Sequence, residues 1–316
     1  MSGRWVEWLR AEGEGKGTNQ PLHFPWLSKR IPLELELFQE GLKPSLKLED
    51  LTPDEGERLK AELQQRGNRV ELVGQEGAPA PFERDMGDAA LPPVTLFASP
   101  IGTLLEELVA SERQERTSGS SRLQAILRSG ELLGYPRCCV EAFAARPRQD
   151  DGEVVKALLS AGDPEERHPA LLNFFPPMTS PVSWYPCSLH CGAALEVAER
   201  WLKGLASSDP LARHHRLDVL AGSTLVFGRF LFIHLPLAVK DGASVRFDGV
   251  TDALSFTGEK RLVESPVLQQ FREEVTEQFP KAGSLLLKGD SLVVMSDSGG
   301  PLEGRILQEV SLLHFA

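Results

Sequence analysis

Two short stretches of this sequence contain all of its cysteines: GYPRCCVEAF at residues 134–143 and YPCSLHCGAAL at residues 185–195. The first pair of cysteines is adjacent, and the second pair is separated by three residues. The four residues are Cys138, Cys139, Cys187 and Cys191. Random placement of 4 cysteines in 316 residues would seldom give two such pairs. Because the chain is large and no secretory signal is expected, a disulfide framework is disfavoured, and the spacing favours ligands that converge in space.

An aromatic residue and a proline precede each cysteine pair, as Tyr135-Pro136 and as Tyr185-Pro186. Proline is favoured at the first position of a helix, so Cys138 and Cys139 are predicted to lie in the first turn of one helix and Cys187 in the first turn of another. The free N–H groups and partial positive charge of a helix N-terminus favour thiolate over thiol. Cysteines four residues apart also lie on one face of a helix. Two meeting helix N-termini would therefore bring four thiolates together.

An iron–sulfur cluster is the leading prediction for these four ligands, most simply of the 4Fe-4S type, since four cysteines are its usual ligand set. Zinc is the alternative, because structural zinc sites use pairs separated by two to four residues. The adjacent pair fits zinc less well, since neighbouring side chains on a helix diverge by about 100°. Dithiol redox chemistry and simple burial in a helical core are further hypotheses.

Several other side chains near the motifs are candidate site residues. His190 lies inside the second motif and is predicted to be a surface or capping histidine, or else a replacement ligand or proton donor. Arg122, Arg128 and Arg137 flank the first motif. These arginines are either solvated or positioned to neutralise a cluster or to bind an anionic cofactor or substrate.

The sequence predicts an α+β chain with three regions: an α/β region at 1–95, a helical metal-binding region at 96–220 and a β-rich region at 221–316. In the first region, the alternation from Pro32 to Phe38 predicts a strand. Thr52-Pro53-Asp54-Glu55 forms a capping box that predicts a helix to Gln65. A second strand is predicted at 69–73, followed by a loop at 74–93.

Helical spacing of leucines predicts two helices between residues 103 and 134, and a long apolar stripe from Ala194 to Leu205 predicts another. In the last hundred residues, the helical spacing of apolar residues gives way to a strand-like pattern. Short apolar runs separated by turn residues predict strands near 225–227, 230–233, 245–247, 285–287, 292–294 and 306–313. One helix, at 267–279, is predicted among them.

Composition and simple motifs make several kinds of partner unlikely for this protein. Lys plus Arg is 34 and Asp plus Glu is 45, giving a net charge of −11, so nucleic acid is an unlikely partner. The longest apolar stretch is too short and too interrupted to cross a bilayer, and a cytoplasmic protein is expected. No phosphate-binding glycine motif is present in the sequence. An unidentified small molecule or protein remains as the expected partner.

The motifs resemble an uncharacterised prokaryotic family whose shared signature is GYPxCC followed by PCSxxC. Gly134-Tyr135-Pro136 with the adjacent cysteines, and Pro186-Cys187-Ser188 with Cys191, carry the likeness. It covers about 60 residues and implies no activity. If the protein is an enzyme, iron–sulfur-dependent redox or sulfur-transfer chemistry is the expected class. Two alternatives are an interaction module held together by a structural zinc site with four cysteine ligands and a thiol–disulfide switch.

Overall fold

The computed structural model describes residues 33–74, 94–115, 120–145, 154, 157–158, 167–174, 180–205, 217–218, 220–227, 231–236, 238–241, 244–246, 255–256, 282–288, 291–296 and 310–315. The helices are α1 (Leu33–Gln39), α2 (Pro53–Gln65), α3 (Gly102–Glu115), α4 (Ser120–Leu132), α5 (Arg137–Ala144) and α6 (Gly192–Leu205), with a 3-10 turn at Ala170–Leu172. The strands are β1 (Leu46–Leu51), β2 (Arg69–Gly74), β3 (Val94–Ser99), β4 (Arg167–His168), β5 (Gly222–Phe227), β6 (Leu231–Pro236), β7 (Val239–Asp241), β8 (Ser244–Arg246), β9 (Ser255–Phe256), β10 (Ala282–Lys288), β11 (Ser291–Ser296) and β12 (Val310–Phe315). This mixture of helices and small sheets confirms the α+β prediction.

A three-stranded antiparallel sheet forms the core of the N-terminal part, with β3 between β1 and β2. Leu96 and Ala98 of β3 pack with α1 and α2 on one face, whereas Phe97 packs with α3 and Leu132 on the other. Both faces of β3 are therefore covered, and its side chains are buried without alternation. This strand was missed in the sequence because it lacks the period of two that marks a half-exposed strand.

Helix α2 matches its predicted bounds. The Thr52 hydroxyl accepts from the Glu55 N–H at 3.1 Å, and the Glu55 carboxylate accepts from the Thr52 N–H at 2.8 Å. This reciprocal pair is the capping box read from the sequence. Gly67, with a φ of +85°, follows the end of the helix, where a left-handed residue is required. The next strand, β2, also confirms its prediction.

The predicted strand from Pro32 to Phe38 is wrong, because Leu33–Gln39 is the helix α1. Leu33 and Leu37 are one helical turn apart and pack against the apolar face of α6. Leu35 and Phe38 face the other way and pack in the core beneath the first sheet. A short helix between two cores is apolar on two sides, and here this produces the alternation expected of a strand.

The C-terminal part contains two further sheets, ordered β11-β10-β8-β7 and β4-β12-β5-β6-β9. Their strands overlap all six strands predicted in the last hundred residues, and positions 230, 247 and 306–309 of those predictions lie outside the described residues. Strand β4 is contributed by the middle of the chain and pairs in parallel with β12. The predicted loop after Gly74 and the predicted helix at 267–279 lie outside the described residues. Among the described helices, none is long and apolar enough to span a bilayer.

Candidate metal centre

The first cysteine motif is positioned by a sharp turn between α4 and α5. Gly134 has a φ of +78°, and the Tyr135 N–H donates to the Gly130 carbonyl at 2.9 Å, which closes the end of α4. Pro136 then occupies the N-cap of α5, one position earlier than predicted. Cys138 and Cys139 are the second and third residues of α5, which confirms their placement in its first turn.

The second motif differs from its prediction. Cys187 lies in a turn, and α6 begins only at Gly192. Cys191 is the residue before the helix, and its carbonyl accepts from the Leu195 N–H at 3.0 Å. Its sulfur accepts from the Ala194 N–H at 3.4 Å, the position in which a serine or aspartate oxygen commonly caps a helix. The predicted helix start at Cys187 is therefore wrong, because Cys191 itself is the cap.

The four sulfurs nevertheless meet. The Cys191 sulfur lies 3.6 Å from that of Cys138 and 3.6 Å from that of Cys139, and the adjacent pair is separated by 4.0 Å. All four sulfurs, including that of Cys187, lie within 4.8 Å of one another. The adjacent side chains on α5 converge rather than diverge, which removes the objection to a single ion. Four thiols at this spacing could hold a metal.

The four thiols differ in burial. Cys139 and Cys191 are buried and pack with Leu172, Val182 and Ala194 in one apolar cluster. Cys187 is half-buried, and Cys138 is exposed. The sulfur cluster therefore lies at the edge of the core, with one thiol at the surface.

Burial opposes ionisation of three of these thiols, those of Cys139, Cys187 and Cys191. Burial raises the pKa of Cys187 to about 11 and that of Cys139 well above its usual range, although the Cys187 N–H stabilises the Cys139 thiolate. Burial also opposes ionisation of Cys191. However, the Ala194 N–H and the other three thiols donate to its sulfur and lower its pKa. Of these three thiols, Cys191 thus ionises most readily, and a bound cation would offset the repulsion among the thiolates.

A polar cluster around the buried Lys43 connects both motifs to α1. The Glu34 carboxylate accepts from the Tyr135 hydroxyl at 3.2 Å, from the Ser183 hydroxyl and from the ammonium of Lys43. The Lys43 ammonium also lies 4.9 Å from the ring centroid of Tyr135 and 5.2 Å from that of Trp201. Burial lowers the pKa of Lys43, and the Glu34 charge opposes this. Tyr135 precedes the first cysteine pair and Ser183 precedes the second, so one carboxylate holds both segments.

His190 is exposed and contacts a histidine from another part of the chain. Its Nε2 lies 2.8 Å from Nδ1 of buried His168 in β4. His168 in turn packs against Phe315 of β12, with ring centroids 5.6 Å apart. The structure thus places His190 at a contact with the C-terminal sheet.

The three predicted cofactor-binding arginines are spread along α4 and α5. Arg128 forms ion pairs with Glu107 and Glu131, and Arg137 pairs with Glu141 at 2.7 Å. Arg122 is half-buried near the start of α4. Binding of a cofactor by these residues remains a prediction.

Sequence reasoning missed the polar cluster of Glu34, Lys43 and Ser183. Glu34 lay in the stretch misread as a strand, and Lys43 lies in a segment without any motif. The only sequence feature that pointed to this cluster was Tyr135, which was noted for its position before proline rather than for its hydroxyl.

Comparison with known proteins agrees with the resemblance to an uncharacterised prokaryotic family. The model of a family described as "protein of unknown function (DUF483)" matches residues 105–218, which include both cysteine motifs. An uncharacterised protein of the archaeon Methanothermobacter thermautotrophicus is 27% identical over 123 residues, which are 39% of this chain and 59% of that protein. No solved structure matches. The resemblance is confirmed at this level, although neither match shows the double-cysteine signature itself.

Proposed function

We propose that this protein binds one metal ion, best fitted by zinc, through Cys138, Cys139, Cys187 and Cys191. The spacing of the sulfurs carries the proposal. A zinc–sulfur bond of about 2.3 Å in tetrahedral geometry places neighbouring sulfurs about 3.8 Å apart. The three individual sulfur–sulfur distances are 3.6, 3.6 and 4.0 Å. The distances among Cys138, Cys139 and Cys191 are thus close to those of a tetrahedral site around a single ion, and the Cys187 sulfur lies within 4.8 Å of the other three.

The ion would act first as a clamp. It would join the start of α5 to the turn before α6, two segments that are separated by about 50 residues in the sequence. Four protein ligands without an open position are typical of structural zinc sites. The module would therefore hold the surface formed by both motifs in a fixed arrangement for a partner molecule.

An iron–sulfur protein with redox or sulfur-transfer activity is the second candidate. The full set of four cysteines and the exposure of Cys138 favour it, because a cluster that exchanges electrons or sulfur must be reachable. The short distances between the four sulfurs argue against this candidate. In a 4Fe-4S cluster each cysteine binds a different iron atom, so its sulfurs are farther apart than around one ion.

Metal analysis of the full chain, purified under anaerobic and reducing conditions, tests the proposal. We expect one zinc per chain, a colourless protein and, after cobalt substitution, the visible absorption of tetrahedral thiolate coordination. Cys139→Ser and Cys191→Ser should lose the ion. Ser188→Ala, at an exposed position in the same turn, is the matched control and should retain it.

Two results would overturn the single-ion proposal. Several iron atoms with an equal amount of sulfide, in a coloured protein, would establish the cluster instead. A metal-free protein that loses the mass of two hydrogen atoms on oxidation, and regains it on reduction, would establish a dithiol switch.

A further inference from the structure

Cys138 differs from the other three cysteines in exposure and in hydrogen bonding. It is the exposed member of the set. The Cys139 sulfur accepts a hydrogen bond from the Cys187 N–H, and the Cys191 sulfur accepts one from the Ala194 N–H. Among the residues that the structure describes, the polar contacts of the Cys138 sulfur are with the other thiols, at 4.0 Å to Cys139 and 3.6 Å to Cys191.

These differences affect reactivity. A thiolate rather than a thiol is the nucleophile, and an N–H donor stabilises its charge and makes it less reactive. Four thiolates around a divalent ion leave a net charge of about −2, most accessible at the exposed sulfur. The nearest charged neighbour in sequence, Arg137, is paired with Glu141 at 2.7 Å. With an ion bound, the Cys138 sulfur would thus be the ligand that a reagent in solvent can reach.

We propose that Cys138 is the reactive ligand of this site and takes an alkyl group from an uncharged, soft carbon electrophile. The Cys138 sulfur supplies the electron pair for a new carbon–sulfur bond, and the bond from carbon to its leaving group breaks. The leaving group departs with that bonding pair, and no oxidant or reductant is needed. Cys139, Cys187 and Cys191 would keep the ion. This inference rests on the proposed metal site.

An aromatic surface beside the motifs fits an uncharged apolar donor. Phe143 of α5 is 36% exposed and stacks with Tyr185 of the second motif, with ring centroids 6.4 Å apart. Phe143 lies one helical turn beyond Cys139, on the cysteine-bearing helix. The pair thus joins the two motifs at a partly exposed apolar patch.

Iodoacetamide is a suitable probe, because it is an uncharged carbon electrophile. Zinc-loaded full chain is treated with a small excess, and the adducts are located by peptide mass mapping while zinc is counted. We expect one adduct, on Cys138, before any second forms, with zinc retained. Cys138→Ser removes the reactive sulfur and should not form the rapid adduct. Ser188→Ala keeps all four ligands, and it should form the adduct on Cys138 with zinc retained. Cys139→Ser, which changes a buried ligand, should lose zinc.

The results separate this inference from the proposed function. Absence of zinc from the wild-type protein would refute the metal site itself. Bound zinc with a first adduct on another cysteine, or with adducts spread evenly over all four, would refute only the role of Cys138.

Discussion

Gly130 controls how closely α4 approaches the cysteine-bearing helix. A Cβ atom at this position would lie 2.4 and 2.6 Å from the two methyl carbons of Val140 on α5. Valine has a stiff side chain, so it cannot move aside cheaply. The absence of a side chain at Gly130 therefore permits the contact that places the adjacent cysteines.

Gly130→Ala tests this contact. Overpacking of this kind costs roughly 1–3 kcal/mol, and we expect about 2 kcal/mol of lost unfolding free energy in a urea titration, together with weaker metal binding. Gly102→Ala is the control, because nothing lies within 4 Å of its added Cβ. A Gly130→Ala protein as stable as the Gly102→Ala protein would show that α5 can shift without cost.

The cysteines could be predicted from the sequence, whereas the residues that support them could not. Four rare residues in two tight pairs form a pattern that chance seldom gives. Lys43 and Glu34 are common residue types, and their role depends on Tyr135, which is about 100 residues away in the chain. Such a contact exists only after the elements have packed, so no local pattern indicates it.

Helices and strands were also predictable where nearby residues determine them, and not where packing against other elements does. Helix α2 was predicted to its ends because its capping box and terminal glycine act within a few residues. Helix α1 and strand β3 were misread or missed because both are covered on two sides by other elements. Hydrophobic periodicity indicates secondary structure reliably only where one face meets solvent.

Helix α1 is joined to both cysteine motifs through the Glu34 carboxylate, and the two charged members of that contact should respond differently to mutation. Lys43→Met leaves Glu34 with the hydroxyl groups of Tyr135 and Ser183, so we expect a loss of about 1 kcal/mol or less. Glu34→Gln leaves a buried ammonium without its counter-charge, and we expect a loss of about 3 kcal/mol. Urea unfolding measures both. Equal losses of unfolding free energy in the two variants would mean that the Lys43 ammonium can reach water when its counter-charge is removed.

The Glu34→Gln protein should also be more stable at higher pH. Burial lowers the pKa of Lys43, and removal of the carboxylate removes the main opposing influence. Below the unfolded lysine pKa of about 10.4, the unfolded chain then binds more protons than the folded one, so stability rises with pH. The difference in unfolding free energy between the Glu34→Gln protein and the wild type should therefore become smaller from about pH 7 to about pH 9. The Tyr135 pKa is raised, which keeps this group neutral throughout that range. A constant difference would contradict the assignment to Lys43.

Across the whole molecule, the second cysteine motif lies against the C-terminal sheet. Leu189 is buried with Leu313 and Phe315 of β12, and the contact between His190 and His168 lies beside it. The division into regions at 1–95, 96–220 and 221–316 remains a prediction, and its first boundary falls inside β3. These packing contacts imply that the middle and last regions stabilise each other.

Leu189→Ala tests this mutual support by hydrogen exchange. Truncation of a buried leucine costs about 2–5 kcal/mol, and we expect faster amide exchange at the start of α6 and in β12, which share the Leu189 contact. Amides of the β1-β3-β2 sheet, which has its own core, should exchange at the wild-type rate. Leu123→Ala, at a 43% exposed position on α4, is the matched control and should change little. Faster exchange confined to residues 187–191 would show that β12 is stable without the motif. A uniform increase would show that the chain unfolds as one cooperative unit, which would contradict separate N-terminal stability.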